Sequence, residues 1–461
     1  MRSRKTLIWI LVPVGIVIAL LITGMVMRHE IMGHAITITI SKKTNQQVTL
    51  YIDSVDFRIL SSTVYLKNAV FSFNSLVLNK QKTLELEELR FGEIKMSGIS
   101  VLRLLIFRRI KANSLVVSEP SSRMKSMNNV ESQPVPPNEI IEQIQNNSSI
   151  FGKLKIQIED VHIRAGHFRM EKMDFDKKST LDFDYGINLH QFDTRSKLLK
   201  DTTRLFFSDE MLIRLKNIRY ANPSGESLFT DSLILGSRST LMDVYGVRFN
   251  PSTTQQTAST TISGDIQHIR LEGGDITFPS NAIDFRLQSI SLSQGNLVIF
   301  KHQAEKVTDT IQLNALANAI RSISINNLNF DDCNVLMISP ENDTLLRANL
   351  NNLMLKNMVA DSGFQQNSEK ISFDDLSWNT GELSYLEPEN QIRIQVRSTC
   401  FMETTGKLNL GNTLVYNPST DETLSYDIKI SALEIDGLYI RKLLSQQDLS
   451  LSFTLNQPEI K

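Results

Sequence analysis

A single short segment of this chain has residue types that suggest metal catalysis. Residues 29–34 read HEIMGH, which is similar to the H-E-x-x-H motif of zinc proteases. That motif needs two histidines four residues apart, on one face of a helix, with the glutamate as general base. His29 and His34 are five residues apart, so on a helix they would diverge around its axis. We therefore do not expect a zinc site here.

The other residues that could do chemistry give no convincing site. His162, His167 and His190 are scattered through strand-like sequence, where surface positions are the usual interpretation. Cys333 and Cys400 are the only cysteines, too few for a disulfide framework or a cysteine zinc site. They could form one bridge, but two separate thiols packed as small apolar groups are favoured. No GxSxG, P-loop or GxGxxG fingerprint occurs. We expect no enzymatic activity, no metal and no cofactor.

The composition is that of a folded protein without a strong preference for charged partners. The chain has 461 residues, of which 41% are hydrophobic and 21% charged, and these values exclude wholesale disorder. The 49 basic and 50 acidic residues leave a net charge of −1, so nucleic acid is not an expected partner. Glycine (20) and proline (12) are both scarce, which disfavours folds with many tight turns.

One segment has the composition of a membrane anchor. Leu7–Met27 is 21 residues long and carries no formal charge; as a helix it would span about 30 Å, the thickness of a bilayer core. Arg2, Arg4 and Lys5 precede it, so the positive-inside rule places residues 1–6 in the cytoplasm. A cleaved signal peptide is the alternative, but its apolar run is usually about 7–15 residues and ends at a small-x-small site. We expect an uncleaved single-pass anchor that includes Leu7, Trp9, Leu11, Val14, Ile16, Ile18, Leu20, Ile22 and Val26.

Past the anchor, apolar and polar residues alternate, as in Ala35–Ile40 and Ile392–Val396. A period of two predicts β-strands with one buried face. Short helices are expected only at 101–109, 139–145, 311–320 and 440–446. Residues 121–149 are rich in serine, asparagine and proline, which is typical of a linker or mobile loop. The predicted regions are an N-terminal β region with a short capping helix (28–120), a linker (121–150) and a repeat-containing β region (151–461).

A thirteen-residue pattern occurs five times in the sequence. It reads apolar-x-x-apolar-x-apolar-x-x-Gly-x-apolar-x-apolar, over residues 158–170, 266–278, 287–299, 325–337 and 373–385. The glycine is Gly166, Gly274, Gly295 or Gly381, and the fourth copy has Cys333 there. Because the apolar phase slips at this position, either a strand bulges or two strands meet at a tight turn, and a glycine would supply the positive φ.

A second pattern joins the two ends of the chain. Residues Gly98–Pro120 and Gly437–Pro458 both read as a glycine after a strand, a short helix with a leucine pair, and a strand ending in proline. Such a helix is too short to cross a membrane and would cap the end of a sheet.

With these two patterns the chain resembles the AsmA-like family, which is related to the TamB-like proteins of Gram-negative bacteria. The resemblance is best over residues 1–170 and covers the anchor, the Gly98–Pro120 unit, the polar insertion and the first thirteen-residue copy. It implies an elongated, curved antiparallel β-sheet with an open apolar groove, anchored in the inner membrane with its bulk in the periplasm. It also implies a role in phospholipid transport or outer-membrane and envelope assembly.

Strand alternation by itself favours a closed β-sandwich or barrel, whose apolar faces cover each other. An open sheet would instead have to bind something apolar, such as acyl chains. The alternative functions are a structural or assembly factor that binds envelope proteins at its sheet edges and a membrane-tethered signalling ectodomain. The predicted groove-lining residues are Val161, Ile163, Phe168, Met170, Ile269, Leu271, Ile276, Ile290, Leu292, Leu297, Leu328, Phe330, Val335, Leu376, Trp378 and Leu383.

Overall fold

The computed structural model describes part of the chain, and every structural statement below refers to those residues. The described ranges are 48–58, 61–73, 82–99, 109–128, 155–174, 177–194, 207–222, 225–237, 241–250, 260–277, 283–301, 320–361, 371–387, 391–417, 427–441 and 452–460. The predicted anchor, the HEIMGH segment and nearly all of the predicted short helices lie outside these ranges. Within them, no helix has the length and apolar character needed to span a membrane.

The chain is mainly β, as the alternating sequence predicted. Among the described residues, Ile440 and Arg441 are α-helical and Phe207 has 3-10 conformation. The strands are β1 (Val48–Arg58), β2 (Thr63–Phe73), β3 (Lys82–Ser97), β4 (Arg109–Ser118), β5 (Ser121–Asn128), β6 (Lys155–Asp174), β7 (Lys177–Asp193), β8 (Glu210–Ala221), β9 (Ser227–Gly236), β10 (Leu241–Asn250), β11 (Thr260–Thr277), β12 (Ile283–Lys301), β13 (Ile320–Ile338), β14 (Thr344–Asp361), β15 (Ile371–Ser372), β16 (Asp375–Glu387), β17 (Ile392–Met402), β18 (Lys407–Tyr416), β19 (Asp427–Asp436) and β20 (Ser452–Ile460).

The chain divides into two compact units, residues 1–223 with 230–239 and residues 224–229 with 240–461. In unit 1, strands β1, β2 and β3 form an antiparallel meander. Both β4 and β5 pair antiparallel with β3 and parallel with β6. Strands β6, β7 and β8 are antiparallel.

Unit 1 has a hydrophobic core in which apolar side chains of β1–β4 and β6 are almost completely removed from water. Burial of this kind is the main favourable contribution to folding. The core cluster consists of Leu50, Val64, Leu66, Ala69, Phe71, Leu89, Phe91, Met96, Ile99, Ile110, Ala112, Ile156, Ile158 and Val161.

Unit 2 contains a long run of paired strands. Strands β10, β11 and β12 are antiparallel, β12 and β13 are parallel, and β13, β14, β16, β17, β18, β19 and β20 are antiparallel in turn. The sheets of both units are therefore mixed: most neighbours are antiparallel, but β12 pairs in parallel with β13, and β4 and β5 pair in parallel with β6, which the expected antiparallel sheet did not include. Parallel neighbours need a crossover of a dozen or more residues, and residues 129–154 and 302–319 are long enough to supply it.

The predicted linker begins too early. Ser121–Asn128 is strand β5 although its sequence is polar. It pairs with β3 on one side and β6 on the other, so its backbone polar groups are satisfied without an apolar face. The linker prediction, which was based on composition, is therefore wrong for these eight residues.

The repeat glycines lie within continuous strands. Strands β6, β11, β12 and β13 each run through the glycine or cysteine position, which excludes the tight-turn alternative for these copies. The left-handed residue is the one before that position: Ala165 (φ 50°), Gly273 (φ 55°), Gln294 (φ 55°) and Asp332 (φ 52°). In β6 a register shift between Ile163 and Gly166 marks a bulge, whereas in β11–β13 the ladder drops one matched pair at this position without a change of register. In neither case does the repeat glycine carry the positive φ.

Candidate ligand-binding face

The thirteen-residue copies in β12 and β13 lie side by side with every position matched. The pairs are Leu287 with Ile325, Ile290 with Leu328, Leu292 with Phe330, Gly295 with Cys333, Leu297 with Val335 and Ile299 with Met337. Paired residues of neighbouring strands lie on the same face of a sheet. The two copies therefore place the same positions of the pattern next to each other.

The same register extends across unit 2 and forms five apolar rows that run perpendicular to the strands. Row 1 is Met242, Leu271, Ile290, Leu328, Leu355 and Leu376; row 2 is Val244, Ile269, Leu292, Phe330, Leu353, Trp378, Phe401, Leu408 and Ile435; row 3 is Val247, Ile266, Gly295, Cys333, Leu350, Thr380, Thr399, Leu410 and Leu433; row 4 is Phe249, Gly264, Leu297, Val335, Ala348, Leu383, Val396, Thr413 and Ile430; row 5 is Ile262, Ile299, Met337, Leu346, Tyr385, Ile394, Val415 and Ile428. We call these five rows the apolar face.

The bulges keep the five rows on one face. In β10–β14 the ladder skips one residue between rows 2 and 3, such as Gln267, Gln294 and Asp332. In β16–β19 the skip lies between rows 3 and 4, as at Asn412. An extra residue in a strand restores the phase of the side chains beyond it. Without this skip, the apolar residues of each strand beyond it would lie on the opposite face.

The opposite face of unit 2 is polar between rows 2 and 3, whereas between rows 4 and 5 it also carries Val298, Leu336 and Leu414. The row between rows 2 and 3 consists of His268, Ser293, Asp331, Asn352 and Asn379 in its central strands. The side-chain amide of Asn352 donates to Asp331 Oδ1 at 2.6 Å. Water can satisfy such groups, so this row needs no cover.

The apolar face is only partly shielded from water. In rows 1 and 2 every side chain is half-buried except Val244 and Phe401, which are buried. In row 5, Ile262 is 52% exposed and Tyr385 is 40% exposed. The core of a closed sandwich would enclose such side chains completely. Row 2 crosses nine strands, a width of about 38 Å at the usual strand spacing.

Polar atoms on the apolar face are mostly satisfied locally. The indole Nε1 of Trp378 donates to Thr399 Oγ1 at 3.0 Å, and the hydroxyls of Thr380 and Thr399 are 2.8 Å apart. The ring of Trp378 stacks on Phe401 with centroids 4.2 Å apart. These bonds leave the surrounding surface free for apolar contacts.

The predicted lining residues occupy two places. Eleven of them lie in rows 1, 2 and 4: Ile269, Leu271, Ile290, Leu292, Leu297, Leu328, Phe330, Val335, Leu376, Trp378 and Leu383. Ile276 continues β11 beyond row 1 and pairs with Phe285. Val161, Ile163, Phe168 and Met170 belong to β6 in unit 1, where Val161 is part of the buried core and Phe168 stacks on Phe183 at 4.9 Å.

Sequence reasoning missed half of the apolar face. Strand β14 supplies Leu346, Ala348, Leu350, Leu353 and Leu355 without containing a thirteen-residue copy. Strands β17–β19 contribute from Phe401 to Ile428 in the same way. The alternation within these strands was the available signal, but it does not say which strands are neighbours.

The chemistry-bearing residues singled out in the sequence do not converge. His162 bonds to Asn188, His167 to Asp184 and His190 to Asp160, each across the β6–β7 pair. The hydrogen bond from His190 to Asp160 raises the pKa of His190 above its usual value. No group of three metal-ligating side chains occurs within the described ranges.

Both cysteines are free, and their positions differ. Cys333 is buried in row 3 opposite Gly295. Burial raises the pKa of the Cys333 thiol, which keeps it protonated and poorly nucleophilic. Its role here is that of a small apolar side chain.

Comparison with known proteins leaves the chain without an assigned family: no family model and no curated protein matches it.

Proposed function

We propose that unit 2 binds the acyl chains of phospholipids on its apolar face, and that the chain works as an AsmA-like lipid-handling protein of a Gram-negative envelope. The observation that supports this proposal is the set of five apolar rows, which are continuous across neighbouring strands and half-buried at most positions. Exposed apolar patches of this extent are rare on soluble monomers and usually mark a site for an apolar partner.

Acyl chains fit this surface better than a small polar ligand does. The face consists mostly of leucine, isoleucine, valine and aromatic side chains. The hydroxyls of Thr380 and Thr399 already pair with each other and Thr399 accepts from Trp378, whereas the buried Thr413 Oγ1 has no hydrogen-bond partner. Apolar contact depends on area rather than on direction, so a continuous face accepts a long, flexible chain at many positions. In this proposal Leu7–Met27 anchors the protein in the inner membrane and the β units lie in the periplasm.

Adjacent residues of β12 allow a sharp test. Leu292 lies in row 2 and Ser293 on the polar face, so a photo-crosslinking amino acid at either site samples one face only. The full chain, with benzoylphenylalanine at 292 or at 293, is produced in a Gram-negative host and irradiated. Mass spectrometry of the purified protein then identifies the adducts.

We expect phospholipid adducts from position 292 and none from position 293. Protein adducts alone from position 292 would instead favour an assembly factor that binds proteins. Equal lipid capture from both positions would mean non-specific contact with membranes and would contradict the proposal.

A further inference from the structure

The polar face of unit 2 has a hollow of about 400 Å³ over strands β16–β19. Its lining includes one register row across these four strands, which consists of Asn379, Cys400, Asn409 and Glu434. Ser398 lines it from the next row. The volume is in the range of small-molecule sites. Because the hollow and the five apolar rows lie on opposite faces of the sheet, the proposed acyl chains do not fill it.

Small residues form the floor of the hollow. Gly411 pairs with Ser398 on one side and with Ala432 on the other, and all three line the hollow. A Cβ atom at Gly411 would lie 2.7 Å from Ser398 Oγ, a distance that forces one of the two groups to move. Glycine at this position therefore keeps the floor open and leaves the Ser398 hydroxyl in the lining.

The polar side chains of the lining have unused hydrogen-bonding capacity. Within the described ranges, its two asparagines, its serine and its cysteine make no side-chain hydrogen bond. Elsewhere on the same face amides pair with the neighbouring strand: Asn352 donates to Asp331 Oδ1 at 2.6 Å, and Asn334 donates to Asn296 Oδ1 at 2.9 Å. Both lining asparagines are exposed, so a ligand can reach their amides, each of which donates and accepts.

The carboxylate of the lining is already paired. Lys407 Nζ lies 2.5 Å from Glu434 Oε1 and 3.3 Å from Asp436 Oδ1, and the hydrogen bond to Glu434 raises the pKa of Lys407. A phosphate would need basic side chains that are free to bind it, and Lys407 is occupied. A metal cation would need several oxygen ligands with carboxylates among them, and Glu434 is the one carboxylate of the described lining. The hollow therefore suits a neutral ligand.

We propose that this hollow binds a sugar ring through the amides of Asn379 and Asn409 and the hydroxyl of Ser398. A sugar is neutral, and each of its hydroxyl groups both donates and accepts, as an amide group does. An apolar ligand is disfavoured, because the lining would lose water without gaining hydrogen bonds. This inference concerns the polar face and does not depend on lipid binding at the apolar face.

Cys400 provides a built-in probe of the hollow. It lies between Asn379 and Asn409 in the register row and is partly exposed, whereas Cys333 is buried. The full chain is treated with N-ethylmaleimide, and mass spectrometry follows the alkylation of each cysteine over time. The reaction is run alone and with equal concentrations of glucose, cellotetraose or inorganic phosphate. A parallel reaction with glutathione corrects for effects on the reagent.

We expect a sugar to slow alkylation of Cys400 at least about threefold, the protection given by a ligand at about twice its Kd, and phosphate to leave the rate unchanged. Stronger protection by cellotetraose than by glucose would place the bound ring within a longer glycan.

Two variants test the lining directly. Asn379→Leu and Asn409→Leu keep a side chain of similar size but remove the amide, so each should abolish the protection. The matched control is Asn349→Leu, since Asn349 lies on the polar face of β14, outside the hollow. Protection is the ratio of the rates without and with sugar, so each variant is its own reference.

Four results would overturn the inference. They are an unchanged alkylation rate in both sugars, equal protection by phosphate, protection that persists in both leucine variants of the lining, and a Cys400 thiol that reacts no faster than Cys333. The last result would mean that the hollow is closed to small molecules. None of these results affects lipid capture at Leu292.

Discussion

Among single residues, the repeat glycines Gly166 and Gly274 are explained by lack of space more than by backbone conformation, whereas a Cβ at Gly381 would meet nothing closer than 3.6 Å. A Cβ atom at Gly166 would lie 2.5 Å from Cζ of Tyr185 on the neighbouring strand. The Tyr185 ring therefore covers the glycine, an arrangement in which an aromatic side chain compensates for the missing one. At Gly295 the nearest atom is Sγ of Cys333, 3.2 Å from such a Cβ. Cys333 occupies the glycine position of the fourth copy on the neighbouring strand, so that position accepts a small side chain.

We predict that Gly166→Ala destabilises unit 1 by about 1–3 kcal/mol, the usual cost of overpacking. The matched control is Gly186→Ala on β7, where a Cβ would meet nothing closer than the Ile163 carbonyl oxygen at 3.5 Å. Urea denaturation followed by circular dichroism measures both variants. Equal unfolding midpoints for the two variants would show that the Tyr185 contact is unimportant.

Among the strands, bulges place the apolar side chains on one face. Asn412 lies in β18 at φ 47° and Asn68 in β2 at φ 48°, and both are exposed. A β-branched residue in the left-handed region costs roughly 1–2 kcal/mol, whereas glycine adopts it freely. Because both asparagines have the same left-handed backbone conformation, substitutions at the two sites should behave alike.

We therefore expect Asn412→Val and Asn68→Val to destabilise their units by about 1–2 kcal/mol, and the two glycine variants to change stability little. Asn409→Val is the control, since Asn409 is an exposed asparagine of the same strand β18 without positive φ. Hydrogen exchange of β2 and β18 reports on the two units separately. If Asn409→Val and Asn412→Val were equally destabilising, backbone conformation would not be the cause.

The elements themselves were only partly predictable. The period of two identified long strands such as β6, β12 and β13, because alternation is a local property of the sequence. Strand β5 was missed, since Ser121–Asn128 has no apolar alternation and is a strand only through pairing on both sides. The parallel pairing of β12 with β13 was also missed, because the direction of a neighbour is not encoded within either strand.

Across the whole chain, the two units bury their apolar side chains differently. Leu66 in the unit 1 core is 1% exposed, whereas Leu328 in row 1 of the apolar face is half-buried. Removing a fully buried leucine side chain costs its transfer free energy and leaves a cavity. Removing a half-buried side chain costs less free energy of folding, because solvent fills the space that it leaves.

We predict that Leu66→Ala destabilises unit 1 by about 2–5 kcal/mol and that Leu328→Ala destabilises unit 2 by about 1 kcal/mol. Hydrogen exchange measured in β1–β3 and in β11–β14 separates the two effects. A Leu328→Ala cost as large as that of Leu66→Ala would mean that the apolar face is enclosed, and the proposed lipid site would then lose its basis.

The sequence by itself determined that this chain is built of long strands and where the phase of each strand slips. These properties depend on the order of side chains over a few residues, such as Ile290 to Leu297. Only the tertiary structure decided that Leu292, Phe330 and Trp378 lie in one row. That outcome depends on which strands pair, in which direction and in which register, and the connections that bring distant strands together are not read from local periodicity.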